Sequence, residues 1–348
     1  MKRLNYKGKI VYMGIDVHKK SYSVSAWCDG AEVQRWTMPA NTSGLIEHIY
    51  KNYEGAKVRS AYEAGFSGFV LHRALEKAGI ESIVVNAASI EVAACDKKKT
   101  DLRDARKIAE QLSVGRLKGI RIPTEKEEWA RQITRVREQI TRAKSRVANQ
   151  IKKRLQYFGL MEMGDDRVAS KAYMEELLEM KLADELQYSL KLLIDEWLFF
   201  NDQLAELRIK LQEQSFEDSY NEEVYRSVPG IGPISARVLS NELGDLSKNF
   251  RNQNALYQFT GLTPTEHSSG ENIKRGHIDR QGSPRVRHLL VEAAWRAIRI
   301  DAALEEAFKR IAHRRGSKRA IIAIARKLIG RIRACFKHQN LYVLGLAQ

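Results

Sequence analysis

Four carboxylates stand where folded chains often place reactive acids. Asp16 and Glu63 each end an apolar run typical of a strand, and Asp101 and Asp104 open a run with helical periodicity. Acids three residues apart project from one face of a helix. Four clustered carboxylates cannot all ionise without a compensating cation, and such oxygen ligands favour Mg²⁺ or Mn²⁺. Two such ions would clamp the attacking and leaving oxygens of a phosphodiester.

Each acid also has a structural alternative. Asp101 and Asp104 are suited to the N-cap and first turn of a helix, where the helix dipole favours negative charge. Asp16 can simply end a strand. The order of the acids along the chain is more informative than any one of them. One acid lies on the first strand, one on the fourth and two on a later helix, which is the layout of RNase H-like nuclease domains.

The composition indicates a polyanionic partner. The chain has 348 residues, a net charge of +16 and a pI near 9.7, so nucleic acid is the first candidate and an anionic membrane the second. It has no apolar run of about 18 residues and no secretory leader, so we expect a soluble cytoplasmic protein. Cys28, Cys95 and Cys335 lack the spacing of a zinc site or disulfide framework.

The elements around the acids predict one mixed sheet with helices on its faces. Residues 10 to 38 form three antiparallel strands, with a turn at Asp29-Gly30. The elements expected next are a helix near 43–53, a strand at 58–64, a helix from Ser67 to Lys77, a strand at 81–87 and a helix near 100–113.

Beyond Pro123 the pattern becomes helical. Apolar residues recur every three or four positions, which predicts a coiled-coil seam; they are Ile133, Val136, Ile140, Ala143, Val147, Ile151 and Leu155. Residues 131–154 hold nine Lys or Arg and one acid, Glu138, so another face of this helix is either a solvated surface or a contact for phosphate backbones. A second helical stretch, residues 170–214, is expected to pack back against the first.

Two later segments carry possible chemistry. In residues 227–239, Gly230 and Gly232 predict a helix-hairpin-helix turn that binds a phosphate, or alternatively a turn without DNA contact. In the second, Ser268 and Ser269 lie among cations that would stabilise an oxyanion, although most such loops are only loops. The tryptophans occupy apolar positions and are expected in cores: Trp27, Trp36, Trp129, Trp197 and Trp295. His18 and His267 are interpreted as hydrogen-bonding neighbours.

These motifs together resemble the DEDD transposases of bacterial insertion sequences, a family that includes the Piv-type invertases. The segments that carry the resemblance are GIDVHK, YEAG, KKKTDLRDA and VPGIGPISARVLSNELGDLSKNF. The resemblance implies an α/β plus α fold. Its parts are an RNase H-like (RuvC-like) mixed-sheet domain at 1–123, a helical coiled-coil spacer at 124–220, and a mainly α C-terminal domain at 221–348 with the helix-hairpin-helix and serine loop.

The resemblance also assigns roles. Asp16, Glu63, Asp101 and Asp104 would hold Mg²⁺ or Mn²⁺, and Ser269, or in a less favoured register Ser268, would be the nucleophile. Departures from the family pattern at Glu271, Asp279 and Gln281 leave the assisting cation undefined. The residues that we expect to contact nucleic acid are Lys97, Lys98, Lys99, Arg103, Gly230, Gly232, Lys274, Arg275, Arg280, Arg285 and Arg287.

The implied function is a site-specific recombinase that moves its own insertion sequence through a phosphoserine intermediate. Its implied partners are DNA, a structured bridge RNA and further copies of itself, as a dimer or tetramer, and its location is the bacterial nucleoid. The alternatives are a Holliday-junction or other structure-selective nuclease, in which the acids activate water, and a non-catalytic architectural binder.

Overall fold

The computed structural model describes residues 5–91, 100–165, 169–266, 275–279 and 281–346. The chain divides into two compact units, Met1–Pro123 and Thr124–Gln348. Each unit has its own hydrophobic core and is described separately.

A five-stranded mixed sheet forms the centre of the first unit. The order across the sheet is β3-β2-β1-β4-β5; β1, β2 and β3 pair antiparallel, whereas β4 is parallel to both β1 and β5. This arrangement confirms the predicted mixed sheet and fits an RNase H-like domain. The strands are β1 (Ile10–Val17), β2 (Ser21–Cys28), β3 (Ala31–Pro39), β4 (Lys57–Glu63) and β5 (Glu81–Val85).

The turn between β2 and β3 follows from its two residues. Asp29 and Gly30 both have positive φ angles, 52° and 80°, as a tight type I′ hairpin requires. Aspartate and glycine tolerate this left-handed backbone better than most residues. The turn therefore lies where the sequence predicts it.

Helices cover both faces of the sheet. Helices α1 (Thr42–Asn52) and α2 (Val70–Lys77) pack on the face that carries Val11, Met13 and Ile15 of β1. Helix α3 (Asp101–Ser113) packs on the opposite face, where Ile108 joins Ala61, Val85 and Leu117 in a smaller core. Helix α2 begins at Val70 rather than at the predicted Ser67, because residues 64–69 form the turn that leaves β4.

The second unit is mainly helical, as expected. Within its described residues, a short antiparallel strand pair accompanies the helices. The elements are α4 (Glu125–Tyr157), α5 (Lys171–Leu178), α6 (Asp184–Glu217), α7 (Ser219–Arg226), α8 (Pro233–Leu243), α9 (Leu246–Asn249), α10 (Gln253–Thr260), β6 (Pro264–Glu266), β7 (Arg275–Ile278), α11 (Pro284–Ala297), α12 (Ala302–Arg315) and α13 (Ser317–His338).

Helices α4 and α6 form an antiparallel hairpin. The C-terminal part of the predicted seam, Val147, Ile151 and Leu155, is buried against Leu190, Ile194 and Trp197. Val136, in its N-terminal part, is 40% exposed, because this end of α4 makes polar contacts with α8 instead. Each seam residue is apolar, but only the neighbouring helix decides which of them is buried.

Two tryptophan predictions are wrong. Trp27 and Trp197 are buried and Trp36 is half-buried, whereas Trp129 is 66% exposed and Trp295 is 37% exposed. Trp129 lies in the first turns of α4, and Trp295 meets Phe308 through its ring edge. Apolar spacing identifies a face of a helix, but it does not show how much of that face another element covers.

Within the described part of the chain, none of the helices combines the length and apolar composition that a bilayer crossing requires.

Candidate metal centre and nucleic-acid interface

The sheet register places Asp16 beside Glu63. Strands β1 and β4 run parallel, with Gly14 opposite Ala61 and Ile15 opposite Tyr62, so Asp16 and Glu63 are the next positions along. Because side chains alternate between faces, both acids belong to the face on which α3 packs. The Asp16 side chain is 21% exposed, and Glu63 is exposed.

Helix α3 approaches β1 unusually closely because Gly14 lacks a side chain. A Cβ atom built on Gly14 would lie 2.1 Å from the carbonyl oxygen of Ala105 and 2.4 Å from the amide nitrogen of Ala109. A glycine within a strand often marks such close backbone contact. The contact positions the first turn of α3, with Asp101 and Asp104, above the carboxyl end of β1.

Three side chains converge at this point. His18 Nε2 lies 3.1 Å from Asp16 Oδ2 and 3.3 Å from Asp101 Oδ1. One ligand atom from each of the three residues lies within 4.8 Å of the other two. Among the described residues this trio is the one group with metal-binding geometry, and it omits Glu63 and Asp104. The structure thus brings two of the four predicted acids together directly.

The electrostatics of Asp16 favour a cation. Burial raises the pKa of the Asp16 carboxyl, and the charges of Asp101 and Asp104 raise it further, while His18 opposes them. Lys107 Nζ lies 3.4 Å from Asp104 Oδ1, so one cation of the protein already faces this group of acids. A carboxylate that is half-buried beside two other acids is stabilised by a divalent ion. The donor set, two carboxylates with an imidazole, is compatible with Mg²⁺ and suits Mn²⁺ as well.

The sequence interpretation underestimated His18. It does hydrogen-bond Asp16, as expected of a neighbour, but it also reaches Asp101 on a different element. A signal was available, since residues two apart in an extended chain share a face. The strand was expected to end at the acid, so the histidine was not included in the site.

Substitution of Gly14 by alanine tests how α3 is held. We expect the methyl group to force α3 away from β1 and to destabilise the unit by about 2 to 3 kcal/mol, the cost of overpacking a filled core. Hydrogen exchange of peptides from β1 and α3 should become faster. Gly44→Ala is the matched control, because its Cβ would make an ordinary 3.5 Å contact with Met38. Unchanged protection in Gly14→Ala would contradict this account of the helix position.

The predicted glycine hairpin lies between α7 and α8. Gly230 has φ 86°, and a Cβ there would lie 2.7 Å from the carbonyl oxygen of Ala293 and 2.8 Å from Arg296 Cβ, so this glycine packs against α11. Gly232 is the N-cap of α8 and has open space around its α-carbon. Gly232 therefore keeps the accessibility that phosphate binding needs, and the predicted contact stays a prediction.

Arg285 and Arg287 have partners within the second unit. Arg285 pairs with Glu138 of α4 and, at 3.2 Å, with buried Glu242 of α8. Arg287 Nη1 lies 3.4 Å from the carbonyl oxygen of Thr260. Both guanidinium groups therefore contribute to packing around α11, and their contact with nucleic acid stays a prediction.

The predicted nucleophile lies between two described strands. Strands β6 and β7 pair with Glu266 opposite Arg275, and Ser268 and Ser269 belong to the eight residues between these two positions. Arg103 is exposed on α3. The predicted residues outside the described part of the chain are Lys97, Lys98, Lys99, Ser268, Ser269, Lys274 and Arg280.

Comparison with known proteins agrees with this geometry. Residues 13–159 match a DEDD transposase model of the IS110 type, and residues 222–309 match the Transposase IS116/IS110/IS902 family. A putative transposase of Sinorhizobium fredii, y4rJ, is 30% identical over 77% of this chain and 74% of its own length. Another, y4qE, is 28% identical over 82% and 71%. The transposase of the Leptospira borgpetersenii element IS1533 is 26% identical over 82% and 84%.

The transposase relatives that match most of the chain, together with the acids at the strand ends of the mixed sheet, place the protein in a class of DNA-cutting enzymes. The chain belongs to the IS116/IS110/IS902 family of transposases. Its DEDD domain and the Asp16–His18–Asp101 trio indicate that it uses a divalent metal. The similarity to transposases disfavours the alternative of a hydrolytic junction nuclease.

Proposed function

We propose that this transposase cuts and rejoins DNA through a covalent phosphoserine link, with Ser269 as the nucleophile. The observation that carries the proposal is the convergence of Asp16, His18 and Asp101 in a chain of this family. Rejoining requires that the energy of the broken phosphodiester bond be conserved. A covalent phosphoserine link conserves that energy, whereas direct hydrolysis loses it.

Strand cleavage exchanges a phosphate ester of deoxyribose for a phosphate ester of serine. Ser269 Oγ loses its proton and bonds to phosphorus, while one phosphorus–oxygen bond to deoxyribose breaks. The departing oxygen takes up a proton and leaves as a hydroxyl. In rejoining, a deoxyribose hydroxyl attacks the phosphoserine, and Ser269 recovers its proton.

The acids prepare the phosphate for this step. Asp16 and Asp101, with His18 beside them, would hold a divalent cation, and Glu63 and Asp104 would complete its surroundings. Mg²⁺ supplies Lewis-acid polarisation of a phosphate oxygen when bound. Lys107, beside Asp104, partly offsets the acidic charge.

Mapping the adduct tests the proposal. Incubated with Mg²⁺ and DNA from the flanks of the coding sequence, the protein should form a denaturant-resistant adduct that peptide mass spectrometry locates on Ser269. Ser269→Ala should lose the adduct and retain DNA binding, while Ser268→Ala, the matched neighbour, keeps both. Recombination by Ser269→Ala would refute the nucleophile, and nicking without an adduct would indicate hydrolysis.

We also propose guidance by a structured bridge RNA and assembly into a homo-oligomer. The net charge of +16 favours polyanionic partners, of which a structured RNA would be one. Exposed apolar residues on α6, Leu192, Phe199 and Ile209, support contact with a second copy. Recombination should require RNA transcribed from the non-coding flank of the element, and sedimentation should show a dimer or tetramer. Full activity of a monomer after ribonuclease treatment would refute both.

A further inference from the structure

The last 42 residues of the chain are entirely free of acidic residues. Residues 307–348 contain eleven Lys or Arg and no Asp or Glu. Some of these cations have a structural partner. Arg331 lies 2.9 Å from buried Asp301, Arg333 donates to the carbonyl oxygen of Phe250, and Arg326 stacks on the ring of Tyr257. Lys309 pairs with Glu305, one turn earlier on α12. The remaining cations need another explanation.

Five of them form a basic corner where α12 meets α13. A single residue, Gly316 with φ 81°, joins the two helices. All residues from 313 to 319 are exposed, and no described acid lies within ion-pair distance of the five cations. We define the basic corner as Arg310, Arg314, Arg315, Lys318 and Arg319.

Two of these cations oppose the stability of their own helix. Lys318 and Arg319 occupy the first turn of α13, which has neither an acid nor a side-chain cap. Positive charge at a helix N-terminus is unfavourable, because the helix dipole is positive at that end. The two preceding helices do have side-chain caps, Ser283 for α11 and Asp301 for α12, and α12 also has Glu305 in its first turn. Arg314 and Arg315, at the C-terminus of α12, are favourably placed.

The arrangement fits an external polyanion. The start of α13 and the cations on both sides of Gly316 bring positive charge together within ten exposed or helix-end residues, and a phosphate backbone would relieve their repulsion. The corner also lies beyond the family matches, which end at residue 309. DNA is the polyanion on which transposases act, so duplex DNA is its expected occupant.

We propose that the basic corner binds the phosphate backbone of duplex DNA, independently of sequence and through residues other than the acids and Ser269. It adds a second point of attachment on the substrate. The contact does not involve Ser269 or the acids. A test of DNA binding without metal can therefore contradict this proposal while the phosphoserine mechanism still holds, and the reverse is also possible.

The test removes three charges and measures binding as a function of salt. The variant carries Arg314→Gln, Lys318→Gln and Arg319→Gln in the full-length chain, with a random-sequence DNA duplex and no divalent metal, so that cleavage cannot occur. Each phosphate contact contributes about 0.9 to the slope of log affinity against log salt. We expect the slope to fall by about 2 to 3 and affinity at 0.1 M salt to fall about a hundredfold.

The matched control changes three exposed lysines elsewhere in the same unit, Lys171→Gln, Lys181→Gln and Lys191→Gln. Net charge falls equally, but the slope should change by less than about 1. Thermal denaturation checks folding, and the corner variant should melt no lower than the wild type because two unfavourable charges are removed. An unchanged slope overturns the proposal. So does a loss confined to structured RNA, or to phosphatidylglycerol vesicles, with duplex binding intact.

Discussion

Asp16→Asn is expected to have opposite effects on activity and stability. Strand cleavage with Mg²⁺ should fall by at least about a thousandfold, because a bound metal contributes several kcal/mol to the transition state and each 1.36 kcal/mol is tenfold in rate. In metal-free buffer at neutral pH, however, the variant should melt at a higher temperature than the wild type, since it removes a half-buried charge placed beside Asp101 and Asp104.

The pH dependence of the stability follows from the direction in which the pKa of Asp16 is shifted. Asp16 has a pKa above its ordinary value of 3.8 in the folded protein, so the folded state binds the proton more tightly than the unfolded chain. Its favourable contribution is complete below that ordinary value and is lost as the pH rises through the raised pKa. The melting temperatures of wild type and Asp16→Asn should therefore converge as the pH is lowered.

Mg²⁺ should reverse the order of stability. Binding to the folded state alone raises the melting temperature with metal concentration, and we expect this gain in the wild type but not in Asp16→Asn. Asp29→Asn is the matched control, because this acid is 68% exposed in the β2–β3 turn and asparagine also accepts a positive φ. Equal Mg²⁺ stabilisation of wild type and Asp16→Asn would exclude Asp16 as a ligand.

The sequence predicts the positions of these acids because local patterns determine them. Alternation on β1 separates Asp16 from Met13 and Ile15, and the spacing of Asp101 and Asp104 reflects one helical turn. The proximity of β1 to β4 was only assumed, since parallel pairing is not encoded in either strand alone. Gly14 could have indicated the position of α3, because glycine in a strand permits close backbone contact.

The polar core of the second unit could not be predicted in the same way. Glu242 and Arg285 are distant in sequence, and each is a common surface residue type when it is considered alone. Only the packing of α4, α8 and α11 brings them together. Arg285 is predicted to contact nucleic acid, and nothing in the sequence indicates its partners on two other helices.

Glu242→Gln should therefore cause a large loss of stability in the second unit. The Glu242 side chain is 4% exposed and accepts two hydrogen bonds from Arg135, at 2.9 and 3.0 Å, and one from Arg285, at 3.2 Å. Removing one partner of a buried ion pair costs about 3 to 5 kcal/mol. Because Arg135 is 37% exposed and can regain water, we expect the lower end, about 3 kcal/mol.

The measurement is thermal or denaturant unfolding at neutral pH. A loss of 3 kcal/mol in a unit of this size lowers the melting temperature by about 6 to 12 °C. Glu305→Gln is the matched control, since its pair with Lys309 on α12 is exposed and is worth less than about 1 kcal/mol. The double variant Arg135→Met with Glu242→Met should lose less than the two single changes combined, because neither charge is left unpaired.

The pH dependence separates lost charge from lost packing. Burial tends to raise the pKa of Glu242, but Arg135, Arg131 and Arg285 outweigh it and hold that pKa below its ordinary value of 4.5. The stabilisation is therefore complete above that value and is lost as the pH falls through the lowered pKa. The difference between wild type and Glu242→Gln should be constant near neutral pH and narrow in acid. A difference that persists unchanged in acid would indicate altered packing, and would refute the role of Glu242 as the counter-ion that joins α8 to α4 and α11.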